Sequence, residues 1–275
     1  MDTDIPHDAT LPPARHALAI VIPAFNEAGN IGNLVRETAA SVSRAMLREI
    51  VVVDDASDDA TSAEVQALLG TIPELRYIRH ARRAGQSAAV RSGVRAATAP
   101  FVATMDGDGQ NDPRDIPKLF ALLAQMERLG VVLAGGIRVN RRAESSKRLA
   151  SKFANWLRDA ILDDRCPDTG CGIKVFRRDV FLDLPYFSGM HRYLPALVRA
   201  YGREAAYAPA NDRPRRAGVS KYTNLGRGLI GIYDLIGVRW LIRRTVLPAA
   251  PRPHLETASD IANLSSREER QCLQN

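Results

Sequence analysis

Four short apolar runs punctuate the first half of the chain: ALAIVIP at 17–23, EIVVVDD at 49–55, LRYIRH at 75–80 and PFVATMD at 100–106. Each is β-rich and nearly continuous in apolarity, the pattern of a strand covered on both faces. Segments of helical length lie between them. NIGNLVRETAASVSRAM at 30–46 sets Ile31, Leu34, Val35, Thr38 and Val42 on one face, and DATSAEVQALL (59–69) and GQSAAVRSGVRAAT (85–98) continue the alternation. This order predicts an α/β fold, a mostly parallel sheet flanked by helices through right-handed crossovers. Further on, 144–162 is predicted as helix, GIKVF (172–176) as strand, GMHRYLPALVRAYG (189–202) as a helix interrupted by Pro195, and EAAYAP (204–209) as a final strand.

The polar clusters PAFNE, DDASDD and DGDGQ each sit at the end of an apolar run. Open α/β sheets bind ligands outside the carboxyl ends of their strands, so three carboxylate-bearing loops are expected on one rim. Asp106 and Asp108 flank Gly107 directly after the fourth run. Asp-Gly pairs are ordinary turn formers. Two carboxylates at this spacing also suit a hard divalent cation, with Gln110 adding an oxygen or orienting a water. Glu27 and Asp55 are placed to accept hydrogen bonds from a ribose or a base, and Asp58 to cap the helix at 59–69.

The chain has 275 residues, 45% hydrophobic and 25% charged, which is ordinary globular composition. It divides into a loose polar arm at 1–16, a main domain at 17–212, a basic loop with an amphipathic helix at 213–248, and a polar tail at 249–275. Three cysteines, Cys166, Cys171 and Cys272, argue against a disulfide scaffold and fit a reducing compartment. The first residues lack the basic and apolar regions of a secretory leader.

The net charge of +7 is uneven: 138–158 carries seven basic residues against one acid and 213–244 eight against one, so these stretches hold +13 and the remainder −6. They read either as solvated helix faces or as sites for phosphate, nucleic acid or a membrane surface. A nucleic-acid binder would be expected to interleave aromatics with its arginines, and that reading leaves the Asp106/Asp108 pair unexplained. A dinucleotide oxidoreductase needs a glycine-rich turn after the first strand, which PAFNEAGN is not. The stretch 225–244 contains Arg227, Asp234, Arg239 and four glycines, too polar for a membrane span. It fits an interfacial helix with Trp240 at the headgroups and Arg243/Arg244 at its end, or a helix packed on the core.

VIPAFNE, VVVDDASDDAT, RRAGQSAAVRSG and MDGDGQNDP, in that order, resemble the inverting family 2 glycosyltransferases with the GT-A fold. More narrowly they resemble the polyprenyl-phosphate sugar transferases, the group that includes dolichol-phosphate mannose synthase. DTGCGIKVF, GMHRYLPAL and RPRRAGVSKY carry the resemblance to about residue 245. It implies a Rossmann-like nucleotide-sugar domain that moves a hexose, with mannose from GDP-mannose favoured, onto a polyprenyl or dolichyl phosphate. It also implies work at the cytoplasmic face of a membrane, as a peripheral protein that binds no nucleic acid. The donor positions fall on Pro23, Phe25, Glu27, Asp55, Gly85, Gln86 and Asp106, with Ser220 and Lys221 in a loop over the donor. The metal motif falls on Asp106, Asp108 and Gln110, for Mg²⁺ or Mn²⁺. Arg213 falls near the diphosphate or the acceptor phosphate and joins the two aspartates as the catalytic group. The acceptor phosphate is assigned to Arg138, Arg141, Ser145, Arg148 and Arg192. His191 lies on the acceptor side without a direct catalytic part, and a role for Asp168 at the donor sugar stays open. A UDP-sugar donor or a soluble acceptor is the alternative within the same enzyme class.

Overall fold

A computed structural model describes residues 17–139, 157–214 and 224–245, with no side-chain description for 224–230 and 232. The four apolar runs form β1 (Leu18–Ala24), β2 (Leu47–Asp54), β3 (Leu75–Arg79) and β4 (Phe101–Thr104). Their continuous apolarity has a plain cause, because successive side chains enter two different cores. Leu18, Ile20 and Ile22 of β1 and Ile50 and Val52 of β2 pack on one face. Ala19, Val21, Val51 and Val53 pack on the other. Each fully buried Val, Leu or Ile contributes about 1.5–3 kcal/mol, so both faces favour this register.

The first face is covered by α1 (Ile31–Ser41), α2 (Thr61–Gln66) and α4 (Ile116–Met126). All five residues predicted on one face of the first helix are buried. That helix ends at Ser41, earlier than expected, because Val42 turns extended. The second face is covered by α3 (Gln86–Ala96), by the helical residues 157–162 (α5), by α6 (Arg178–Asp183) and by α7 (Leu194–Ala200). Pro195 does not interrupt a helix: a separate 3₁₀ turn spans Met190–Arg192, and the proline sits in the first turn of α7, where its missing N–H is no loss. The last helix, α8 (Asn224–Arg244), adds Leu235 and Val238 to the same core. The chain divides into a compact unit that ends at Ile242 and a second from Arg243 onward, of which only the three residues to Thr245 are described.

The sheet order is β3-β2-β1-β4-β6-β5-β7, with β5 at Val131–Val139, β6 at Lys174–Arg177 and β7 at Glu204–Asn211. All neighbours are parallel except around β6, which runs antiparallel to β4 and β5. The pairing of Thr104 with Lys174 therefore brings the start of β6 to the edge where β4 ends. An isolated bridge between Asn111 and Asp212 ties the segment after β7 to the loop after β4.

Candidate functional site

The loops after β1, β2, β3 and β4 meet on one edge of the sheet and are bonded to each other. The amide of Asn26 donates to Ser57 Oγ (2.9 Å), and Asn26 and Asp58 exchange side-chain and backbone bonds. Asn26 and Ala56 both hold positive φ, 54° and 62°, strain that this interlock sustains. Asp58 is thus not the cap of α2. The cap position is Ala60, without a side-chain cap bond; Asp59, one residue earlier, accepts from the Thr61 amide at 2.9 Å, while its other oxygen binds the Ala28 amide.

Asp55 is buried, and its carboxylate accepts from the amides of Ala84 (2.8 Å) and Gly85 (2.7 Å) and contacts His80 Nδ1 (2.8 Å). Two predicted donor residues, Asp55 and Gly85, are therefore bonded to each other. Glu27 donates its amide to Thr61 Oγ1 and accepts from Asn30 at 3.1 Å. Phe25, a predicted donor residue, carries the guanidinium of Arg83 4.0 Å above its ring, a cation–π contact that brings in an arginine sequence reasoning did not single out. Asp54 is wholly buried. Burial raises its pKa, but bonds from Ser57 and Tyr77 and the charge of Arg79 outweigh this and hold it below the ordinary value. It is structural.

Asp106 accepts from Gln86 Nε2 at 2.7 Å, and its amide donates to Asn111 Oδ1. Asp108 accepts from the Gln110 amide, whose side chain reaches the Arg213 carbonyl. Burial, with the neighbouring Asp108 charge, pushes Asp106 up to about 6. Among the described residues no three His, Cys, Asp or Glu side chains converge as a metal cluster. Asp106, Asp108 and Gln110 nonetheless offer an oxygen-only donor set whose like charges a divalent cation would relieve, so they fit Mg²⁺ or Mn²⁺.

Pro23, Gln86, Asp106 and Arg192, four of the predicted residues, line one cleft. The same cleft is lined by His191, by the turn Thr169–Gly172 and by Lys174, which is 6% exposed and donates to the Cys171 carbonyl. Sequence reasoning missed Lys174. The signal was there, since a lysine inside the otherwise apolar CGIKVF is a charge on a covered strand.

Two predicted arginines have protein partners. Arg138 makes a bidentate fork with Asp168, both bonds at 2.8 Å, which also gives Asp168 its partner. Arg213 binds Glu37 (2.8 Å) and Asp112 (2.6 Å), tying α1 to the turn that precedes α4. Arg141, Ser145, Arg148, Ser220 and Lys221 lie outside the described residues.

Asp112 is 1% exposed and also bonds Arg114. Burial raises its pKa, but hydrogen bonds from Arg114 and Arg213 prevail and hold it far below the ordinary value. A depressed carboxylate stabilises the fold above its unfolded pKa of about 4 and stops doing so as pH falls. Asp112→Asn is expected to destabilise by about 2–3 kcal/mol at pH 7, read from urea midpoints. The gap should narrow at about pH 3, and a gap independent of pH would refute the ionic account.

Comparison with known proteins agrees with this architecture. The family described as Glycosyl transferase family 2 matches residues 19–184. Dodecaprenyl-phosphate galacturonate synthase of Rhizobium johnstonii is 34% identical over 236 residues, 84% of this chain and 69% of that protein. Undecaprenyl-phosphate 4-deoxy-4-formamido-L-arabinose transferase of Salmonella paratyphi A is 31% identical over 222 residues, 80% of this chain; the chain spans only 66% of that relative's length. Among solved structures, glucosyl-3-phosphoglycerate synthase of Mycobacterium tuberculosis, in complex with Mn²⁺, UDP and glucosyl-3-phosphoglycerate, superposes with TM-score 0.63 at 19% identity, covering 86% of this chain and 82% of that one. That likeness concerns the fold, a mostly parallel seven-stranded sheet with flanking helices. The chain belongs to glycosyl transferase family 2 and is a glycosyltransferase of GT-A type.

Proposed function

We propose that this glycosyltransferase moves a sugar from a nucleotide sugar to a polyprenyl phosphate, with inversion. The observation that carries this reading is the composition of the cleft, where Asp106, beside Asp108, shares one lining with Arg192 and Lys174. The acidic pair suits the donor side through a cation, and the basic pair suits an anionic acceptor. A bound Mg²⁺ or Mn²⁺ would neutralise the leaving diphosphate. Asp106 and Asp108 would hold that ion, and Gln86 orients Asp106. Phe25 and Glu27 stand at the rim for the base and ribose, and the loop anchored by Asp55 closes the donor side. The acceptor phosphate, with a second pKa of about 6, attacks as an anion and needs no base from the chain. Its oxygen forms a bond to the sugar C1 as the bond from C1 to the diphosphate breaks on the opposite face.

Mannose from GDP-mannose is the donor implied by the motifs, whereas the two relatives are named for galacturonate and a formamido-arabinose. The 34% identity to a galacturonate synthase favours a uronate over mannose. Incubation with radiolabelled GDP-mannose, UDP-glucose or UDP-galacturonate, Mn²⁺ and undecaprenyl phosphate should yield organic-extractable label from one donor, lost with EDTA. Donor hydrolysis without lipid product rejects the lipid acceptor.

Among the described residues no helix is long and apolar enough to cross a membrane. While Leu235 and Val238 of α8 are buried, Tyr233, Ile236 and Trp240 are 80%, 65% and 61% exposed. Their spacing of three and four residues puts them on one face, and Arg243 and Arg244 fill the last turn. We infer a helix that docks on the core by one face and meets an anionic bilayer by the other. Trp240→Ser with Tyr233→Ser should weaken binding to phosphatidylglycerol vesicles about tenfold in sedimentation; unchanged binding removes α8 from the contact.

A further inference from the structure

Ser87, the second residue of α3, is 3% exposed and lies against the turn that carries His191. Its Oγ is 2.7 Å from His191 Nδ1. The same oxygen accepts from the amides of Gly189 (3.1 Å) and His191 (3.4 Å). A serine hydroxyl has two acceptor lone pairs and one proton. Both lone pairs are taken by backbone N–H groups, so the proton goes to Nδ1. A neutral imidazole that accepts at Nδ1 carries its own proton on Nε2.

The ring lines the cleft with Lys174 and Arg192. Burial and the charges of Arg192, on its own turn, and Lys174, from β6, hold the ring far below its ordinary pKa, at about 3, so it stays neutral. Ser87, facing it from α3, is uncharged. Alongside the Asp106 carboxylate, the lining thus gathers three donors: an ammonium, a guanidinium and an imidazole N–H that stays put at every working pH. Such a set recognises an oxyanion.

We propose that Ser87 fixes His191 as the Nε2–H tautomer and that this N–H donates to an oxyanion of the substrate. Ser87 is then a positioning residue and His191 a direct contact. The oxyanion is a phosphate oxygen of the acceptor or a carboxylate of the donor sugar, and only that choice rests on the function proposed above.

Protein labelled with ¹⁵N at its five histidines tests this without turnover. The His191 signals are those lost in His191→Gln. They should show an unprotonated Nδ1 and a protonated Nε2, unchanged between about pH 5 and 8. A proton on Nδ1, or titration near the ordinary pKa of about 6.5, overturns the proposal. Ser87→Ala should populate both tautomers, and Ser87→Thr, which keeps the hydroxyl, should restore one. Inorganic phosphate and free galacturonate, added separately, identify the oxyanion by which of them moves the Nε2 signal. If neither does, the donor role falls.

In the transfer assay, His191→Phe should lower kcat about 10²–10³-fold, while His191→Gln, whose amide can still donate, stays within about tenfold. Equal losses in the two variants would refute a hydrogen-bond role. Should the wild type transfer no sugar, the proposed function fails while the tautomer and anion results stand on their own.

Discussion

Asp106→Asn is expected to abolish sugar transfer and, at the same time, to raise the melting temperature of the cation-free protein at neutral pH. The two effects share a cause. Burial and Asp108 raise the Asp106 carboxyl to about 6, against an ordinary value of 3.8. Between these values the folded state holds more protons than the unfolded one, so stability falls as pH rises through that window and the penalty is complete above about 6. Asparagine cannot ionise and escapes it, for a gain of about 1–2 kcal/mol, or a few degrees. Loss of a cation ligand should lower kcat/KM roughly a thousandfold, equivalent to about 4 kcal/mol of transition-state stabilisation. Calorimetry at pH 5 and pH 7.5, with EDTA or Mn²⁺, separates the terms. Mn²⁺ should raise the wild-type melting temperature and leave the variant unmoved. A variant that melts lower than wild type at pH 7.5 in EDTA would show that Asp106 is not destabilising.

The second large effect is expected from a methyl group. A Cβ on Gly172 would sit 2.3 Å from Asp106 Oδ2 and 2.8 Å from Asn111 Oδ1. The backbone there cannot retreat, because Thr104 Oγ1 donates to the Gly172 carbonyl and the Gly136 amide to the Ile173 carbonyl. Asp106 must turn away and give up its bond to Gln86. Gly172→Ala should therefore lower kcat/KM about 10²–10³-fold, with a stability loss of about 1–3 kcal/mol from crowding. Gly70→Ala is the control: no atom lies within 4 Å of its Cβ position, so both quantities should hold within about 0.5 kcal/mol. Wild-type Mn²⁺ affinity in Gly172→Ala would mean that the acidic pair does not depend on this fit.

The first half of the architecture was readable because β1 and the later part of β2 are nearly continuous in apolarity, a pattern that follows from having cores on both faces. The mostly parallel sheet and the shared rim of loops followed from that pattern, whereas the strand order did not. Residues 114–139 were not readable as α4 and β5, and the reason is visible at Gly135 and Gly136. In sequence the pair suggests a loop. In the sheet a Cβ on Gly136 would stand 2.7–2.8 Å from Ile173, Ala210 and Cys171, and one on Gly135 would stand 3.0 Å from the Tyr207 ring. Those neighbours are distant in sequence, so no local pattern announces them. Asp58 and Asp59 are equivalent helix starters by composition, and only the partnership of Asp58 with Asn26 in another loop separates them. Pro23, Gln86, Asp106 and Arg192, named by motif resemblance, line one cleft. Lys174 and Ser87 escaped because their roles depend on burial and on contacts across the fold.

Strand β6 enters the rim by its beginning, where its neighbours arrive by their ends. One wall of the cleft is thereby spelled by residues 23–106 and the other by 169–194, two passages of chain with α4 and β5 between them. Heredity can edit the passages separately. A lineage that accumulates changes in the later stretch would alter what meets Lys174, His191 and Arg192 while leaving the wall of Pro23, Gln86 and Asp106 intact, so substrate diversity across such enzymes should concentrate after residue 168.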